Sequence, residues 1–268
     1  MRRQPVVFVS HGAPSLVLES EAVAHRFFVR LGQTLPRPTA ILCISAHWQD
    51  PQLALTGAAH PVTIHDFYGF PEALYQLHYL APGDPELASE ICHVLNKQGT
   101  ACTVDAVRGL DHGAWSPLRM MYPQADIPVL QLSLMQQGST REHYRLGTML
   151  TALRDQGVLI LASGGITHNL RELDRRADAP SAAFAVAFAD WVHEQITRHD
   201  INSLLDYRRA APQAQRNHPT EEHLLPLFVA LGAAGDNNSG LRILHELCYG
   251  ALSLDCYLWS EQPVTGWP

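Results

Sequence analysis

Short apolar runs alternate with stretches of helical character along most of this chain. The runs are rich in β-branched residues and are followed by Gly, Ser or Pro, a pattern typical of buried strands that open into loops. They cover residues 6–9, 40–44, 53–56, 101–104, 129–132, 158–162 and 241–244. Strands that alternate with helices predict the α/β class, with a central mixed, mostly parallel sheet and helices on both faces.

Two of the intervening stretches carry helix signals of their own. Asp84, Pro85 and Glu86 supply an N-cap side chain, a proline at the first helical position and an acid in the first turn. Residues 181–196 are alanine-rich, and their large apolar residues are distributed widely around the helix. This distribution predicts a well-buried helix rather than a cofactor platform.

Length and charge exclude several classes of partner. A chain of 268 residues can bury one large core, so residues 1–268 are expected to form a single domain. The formal charge is -7 and no basic stripe is present, which argues against nucleic acid. The apolar stretches are too short to span a bilayer, and the amino terminus runs into a strand without a signal-peptide core. We therefore expect a cytoplasmic protein that has no membrane partner.

Four of the 15 histidines occupy positions that this pattern singles out. His11, His47 and His168 follow predicted strands, and His223 stands at a helix-start signal where Thr220 is the predicted cap. Ligand sites in open α/β sheets lie at the carboxyl ends of the strands. Because neutral imidazole nitrogen suits zinc and iron, the four positions predict a metal centre built from distant segments.

Three of these positions also have a simpler structural explanation. His11 could be a loop residue that caps a helix start, and the glycine pair before His168 also marks ordinary turns. His223 could face solvent beside Glu222. Pro226 removes a hydrogen bond near the predicted helix start, so the first turn there is expected to be irregular. The residues alone do not decide which histidines are ligands.

Further residues are candidates to line a pocket around such a centre. His112 lies in a predicted loop beside Asp111, whose carboxylate could orient the imidazole. Trp48, next to His47, could form a pocket wall. Residues 64–71, which include Tyr68, form an aromatic loop that either folds over a planar substrate or plugs the core. Two aromatic residues near the end of the chain are candidates to close over the pocket: Tyr257 and Trp259.

The motifs together resemble the class III extradiol ring-cleaving dioxygenases, in particular the 4,5-DOPA dioxygenase branch. The resemblance spans nearly the whole chain in consistent order. Its motifs are SHGAPS at 10–15, SAHW at 45–48, DFYGFP at 66–71, GLDHGAW at 109–115, SGGITHNL at 163–170 and HPTEEHLLPL at 218–227.

The resemblance implies a division of roles among the histidines. His11, His47 and His223 would be the ligands of one divalent metal, with open positions for a catechol and O2. His168 would be the acid/base residue, and His112 would line the same pocket within reach of substrate. Trp48 and Tyr68 are the expected aromatic contacts to substrate. The implied product is a muconic semialdehyde.

The ligand set leaves two metals to consider. His223 stands where relatives outside this branch carry glutamate, and three histidines with an open position also make a familiar catalytic zinc site. Fe(II) is expected for activity, and Zn(II) is possible as the bound metal. Two other functions remain open at this stage, a zinc-dependent hydrolase or amidase and a non-catalytic metal-binding protein.

Overall fold

Strands and helices alternate along the computed structural model, which describes residues 3–174, 176, 179–235 and 239–261. The strands are β1 Val6–Ser10, β2 Ala40–Asp50, β3 Leu53–Thr56, β4 Cys102–Asp105, β5 Val129–Met135, β6 Val158–Gly164, β7 Leu241–Leu244, β8 Leu247–Cys248, β9 Leu252–Ser253 and β10 Cys256–Trp259. The helices are α1 Val23–Thr34, α2 Glu72–Tyr75, α3 Pro85–Lys97, α4 His112–Met121, α5 Thr140–Leu150, α6 Ala183–Arg198, α7 Ile201–Leu205, α8 Tyr207–Ala210, α9 Ala214–Asn217 and α10 Leu225–Ala234.

One eight-stranded sheet has the order β4-β3-β5-β2-β6-β1-β10-β7, and a small second sheet pairs β8 with β9. The four central strands β5, β2, β6 and β1 are parallel to one another. Antiparallel pairing appears where β3 meets β5 and where β10 meets β1 and β7. The predicted α/β class with a mixed, mostly parallel sheet is confirmed.

Helices cover both faces of the sheet. Side chains along each buried strand therefore point alternately into two cores, one on each face. In β1, Val6 and Phe8 belong to the core cluster that includes residues of α3, α5, α6 and α10, whereas Val7 and Val9 belong to the cluster that includes residues of α1 and α4. Every residue of β1 is buried. Each such side chain contributes about 1.5–3 kcal/mol through burial, so the strand ends that carry the site rest on a rigid base.

Of the three helix predictions, one was confirmed, one was too strong and one was wrong. The Asp84 side chain accepts a hydrogen bond from the Leu87 backbone N–H at 2.9 Å and caps α3 as expected. Helix α6 buries one face only, so the prediction of a well-buried helix over 181–196 was too strong. The predicted cap at Thr220 was wrong: α10 begins at Leu225 after irregular turns and has no side-chain cap. Pro226 therefore sits in the first turn, where a missing N–H costs little.

The observed strand boundaries differ most from the predicted ones where the sequence becomes polar. Strand β2 continues to Asp50 through a register shift, so His47 lies inside a strand rather than beyond it. Strand β10 was not predicted, and its Tyr257 and Trp259 are fully buried between β1 and β7. These two residues therefore do not close over the pocket. Within the described residues, no helix has the length and apolar character needed to cross a lipid bilayer.

Candidate metal centre

Three histidines from distant segments meet at the carboxyl ends of the central strands, and backbone hydrogen bonds hold two of them there. His11 directly follows β1, and its backbone N–H donates to the Gly164 carbonyl at the end of β6 at 3.0 Å. The next residue, Gly165, donates its backbone N–H to the His223 carbonyl at 2.8 Å. The end of β6 thus positions both the His11 and the His223 segments.

This arrangement requires a close approach of two backbones at Gly164. A Cβ atom at position 164 would lie 2.1 Å from the His223 carbonyl oxygen, a distance that no side chain can tolerate. Gly164→Ala should therefore separate β6 from the His223 segment and lower the free energy of unfolding by about 3 kcal/mol. Urea unfolding of the two proteins measures this difference.

Gly165→Ala is the matched control for that substitution. A Cβ at position 165 would meet only the Thr167 carbonyl oxygen at 3.3 Å and the His168 Cβ at 4.0 Å. We expect a loss below about 1 kcal/mol. Equal losses in the two alanine variants would contradict the role assigned to the close approach at Gly164.

The imidazole nitrogens of His11, His47 and His223 converge on one point. One nitrogen from each ring lies within 4.8 Å of the others. The Nε2 atoms of His11 and His47 are 3.0 Å apart, and the ring centroids of His47 and His223 are 4.9 Å apart. His223 Nε2 is buried without a hydrogen-bond partner. A buried orphan nitrogen beside two others is the feature that a shared cation would satisfy.

In His11 and His223 one ring nitrogen, the outer Nδ1, has a hydrogen-bond partner in the protein. This leaves the inner nitrogen, the converging Nε2, free to coordinate a metal. The Ser163 hydroxyl donates to the Gly113 carbonyl at 2.5 Å, so at 2.9 Å it accepts from His11 Nδ1. His223 Nδ1 lies 3.0 Å from Glu222 Oε1, a carboxylate acceptor. Protons placed on Nδ1 leave lone pairs on Nε2. Partners of this kind fix the tautomer and ring orientation of metal-binding histidines.

The electrostatics favour neutral rings in this cluster. Burial lowers the pKa of His11 and of His223 well below the usual range, and neighbouring histidines lower both further. Burial also lowers the pKa of His47 to about 3. Crowded imidazoles cannot all carry positive charge, and neutral imidazole is the form that binds a metal.

His168 and His112 lie beside the three converging rings. The ring of His168 stacks on that of His223, with centroids 3.3 Å apart and planes 7° apart. The ring of His112 lies 3.9 Å from that of His47, measured between centroids. Burial lowers the pKa of His168, while the carboxylate of Glu222 opposes that effect. The structure thus brings together the four histidines that the strand and helix pattern singled out and the further candidate His112.

The carboxylate that contacts His112 is Asp66, which the sequence pattern did not identify. One Asp66 oxygen accepts from the His112 backbone N–H at 2.9 Å and lies 3.0 Å from His112 Nδ1. The other oxygen is 3.6 Å from His47 Nδ1. Burial raises the pKa of Asp66, but hydrogen bonds from His112 outweigh it and lower the pKa to about 2.

Asp111, the expected partner of His112, has a different role. Its buried side chain caps α4 by accepting from the Ala114 backbone N–H at 3.3 Å. It also accepts from the Ser45 hydroxyl at 2.7 Å and from the Gln131 amide. Asp111 therefore anchors the helix whose first residue is His112, whereas the orienting contact comes from Asp66 in the aromatic loop.

A cavity of about 610 Å³ opens onto the histidine cluster. All five histidines line it, together with Asp66 and the aromatic loop residues Phe67, Tyr68 and Phe70. Phe67 and Phe70 also pack against the core, so this loop both covers the cavity and plugs the core. Trp48 does not line the cavity. It is buried under the Arg108 guanidinium, 4.4 Å from the ring centroid, because successive strand residues face opposite sides.

Three comparisons with known proteins are consistent with this geometry. The family model described as the catalytic LigB subunit of aromatic ring-opening dioxygenase matches residues 7–253. A crystal structure of an uncharacterized protein from Escherichia coli K12 superimposes with a TM-score of 0.80 at 32% identity. The superposition covers 96% of this chain and 99% of that one.

Several relatives carry names that specify ring cleavage. A 4,5-DOPA dioxygenase extradiol of Beta vulgaris is 40% identical, over 95% of this chain and 96% of its own. A protein of the same name from Escherichia coli K12 is 40% identical, over 86% and 85% of the two chains. Dioxygenase tasH of Hapsidospora irregularis is 33% identical, over 97% of this chain and 86% of its own.

Proposed function

Because the chain belongs to the LigB family of aromatic ring-opening dioxygenases and is an extradiol-type enzyme of that family, we propose the following activity. The protein binds one divalent metal through His11, His47 and His223. It uses O2 to open the ring of a catechol, a DOPA-like or other dihydroxyphenyl compound, beside its two hydroxyl groups. The product is a muconic semialdehyde that contains both oxygen atoms of O2.

The observation that carries this proposal is the set of three imidazole nitrogens within 4.8 Å at the floor of a cavity. The His223 Nε2 atom is buried without a partner, and the outer nitrogens of His11 and His223 are already engaged. The donor set therefore fits a cation that prefers nitrogen ligands. A cation held by these nitrogens would be reached by small molecules through the cavity that the same residues line.

The bound metal would stabilise the deprotonated catechol oxygens and, as Fe(II), supply the redox chemistry that activates O2. The protein residues orient the ring and move protons. Phe67 lies edge-to-face with His112, with ring centroids 5.6 Å apart, and offers an apolar surface to a planar ring. His112 lines the cavity beside it, and its Nδ1 lies 3.0 Å from an Asp66 carboxylate oxygen. With the proton on Nδ1, its Nε2 keeps a lone pair and can accept a hydrogen bond from a substrate hydroxyl.

His168 is the acid/base residue in this proposal. It lines the cavity but lies outside the three converging nitrogens, where one ring nitrogen can take a proton from a catechol hydroxyl and return it later. Its backbone N–H donates to the Asn217 carbonyl at 3.0 Å, which fixes the loop after β6. Stacking on His223 fixes the ring plane.

Fe(II) and Zn(II) both fit a neutral three-histidine set, so the choice of metal is argued from the chemistry. Ring opening by O2 needs a redox-active ion, which favours Fe(II) for activity. Zinc would bind without supporting oxygen uptake. The comparisons favour the oxygenase over a zinc hydrolase or a non-catalytic metal protein, since the family model and the relatives described above are dioxygenases.

Oxygen consumption by defined metal forms tests the proposal. Protein stripped by a chelator should consume no O2 with 4-methylcatechol, and reloading with Fe(II) under reducing conditions should restore uptake together with a yellow product. The Zn(II) form should stay inactive, because zinc cannot transfer electrons. Uptake by the metal-free protein, or zinc-dependent hydrolysis without any uptake by the iron form, would overturn the proposal.

A further inference from the structure

The cavity wall formed by the aromatic loop is apolar beyond the histidine cluster. Phe67 is next to His112, and Phe70 lies 5.4 Å from Phe67 between ring centroids. Tyr68, at the mouth, is 92% exposed. A large side chain exposed at the rim of a cavity is typical of a surface that a ligand covers.

Other residues of the cavity lining have the same character. Leu252 and Leu254, from the chain around β9, line the cavity and are buried, and Tyr249 also lines it. Leu170 also lines the mouth and is 62% exposed. Besides the imidazoles, the described lining thus offers much apolar surface, and two of its large side chains, Tyr68 and Leu170, are exposed.

Charge is scarce along this channel. Among the described residues that line the cavity, only Asp66 carries a formal charge, and its two oxygens face His112 and His47. No lysine or arginine is found in that described lining. A carboxylate on the substrate would therefore lose water without gaining a cationic partner from these residues.

The cavity is also larger than one ring requires. An apolar cavity of roughly 150 Å³ accommodates benzene, whereas this one measures about 610 Å³. In the proposed binding mode the two oxygens of a catechol would lie at the site held by His11, His47 and His223, so a substituent on the ring would occupy the remaining space. The described lining of that space includes Phe67, Phe70, Leu252 and Leu254.

We propose that the site selects catechols that carry a large, uncharged apolar substituent, seated between Phe70 and Tyr68 on one side and Leu254 and Tyr249 on the other. This inference rests on the proposed function, because it assumes that a catechol binds with its oxygens at the histidine cluster. In this proposal Tyr68 and Leu170 determine substrate specificity, because they contact the substituent.

Anaerobic binding to the Zn(II)-loaded protein tests the inference separately from turnover. Dissociation constants are measured by calorimetry for catechol, 4-methylcatechol, 4-propylcatechol, 4-pentylcatechol and DOPA. We expect affinity to rise about two- to fourfold per added methylene group, as for partly to fully buried CH₂. 4-Propylcatechol, which matches DOPA in side-chain carbon number, should bind roughly tenfold more tightly than DOPA.

Two variants of Tyr68 and one control variant locate the effect. Tyr68→Ala, at an exposed loop position, should keep the fold and reduce the rise in catechol affinity per methylene group to below about twofold. Tyr68→Phe should retain the wild-type rise in affinity. Val107→Ala is the matched control, since Val107 is 84% exposed but lies outside the cavity lining. It should leave the whole series unchanged.

The outcomes separate the two proposals. A flat series, or DOPA binding as tightly as 4-propylcatechol, would overturn the apolar selection even if the iron form cleaves every catechol. A steep series with no O2 uptake by the iron form would overturn the oxygenase and keep the pocket assignment. No binding of any catechol to the Zn(II) form together with no O2 uptake by the iron form would overturn both.

Discussion

His223→Ala is expected to abolish metal retention and ring cleavage together. Loss of a group that only orients a ligand typically costs 10–100-fold in metal affinity, so loss of the ligand itself should cost more than about 100-fold. Elemental analysis and chelator competition measure the affinity. We expect the same result for His11→Ala and His47→Ala, because each supplies one of the three converging nitrogens.

Thermal unfolding distinguishes ligand loss from damage to the fold. A ligand that binds only the native state raises its stability, so added metal should raise the Tm of the wild-type protein. The metal-free His223→Ala protein should unfold close to the metal-free wild type, since the deleted ring leaves no orphan Nε2, but added metal should no longer raise its Tm. His93→Ala, exposed on α3, is the control and should behave as wild type. Full metal occupancy in any of the three variants would remove that residue from the ligand set.

The sequence predicted the strands that the site rests on because their residues are buried on both faces. Such strands appear as uninterrupted apolar runs, as in β1 and β6, and the chemistry-bearing residues follow them directly. The same reasoning placed His47 beyond a strand that in fact continues to Asp50. Pairing with β5 shifts register between Ile44 and Gln49, and such irregularities follow from strand neighbours that lie far away in the sequence.

The groups that orient the histidines could not be predicted from the sequence alone. Asp66 contacts His112 across 46 residues, and Ser163 contacts His11 across 152. No periodicity relates these positions, since the contacts arise from how loops at one edge of the sheet fold together. Adjacency was misleading at Asp111, whose side chain turns toward Ser45. At Glu222, however, the sequence neighbour is also the hydrogen-bond partner of His223.

The proposed role of His168 leads to the opposite pattern from ligand loss: His168→Ala should keep the metal and lose turnover. The ring lines the cavity and stacks on His223 without joining the three converging nitrogens. Removal of a general acid/base residue typically lowers kcat by about 10²–10⁴-fold. Metal content, the rise in Tm on metal addition and anaerobic catechol affinity should all stay near the wild-type values.

Chemical rescue tests whether the missing function is proton transfer rather than positioning. The alanine variant leaves a space at the cavity wall, and imidazole added to the assay can enter it and carry the proton that the side chain carried. We expect a concentration-dependent recovery of kcat with imidazole and none with N-methylpyrrole, a ring of similar shape that has no basic nitrogen. Recovery with both compounds would assign His168 a packing role, and loss of metal from a folded His168→Ala protein would make it a ligand.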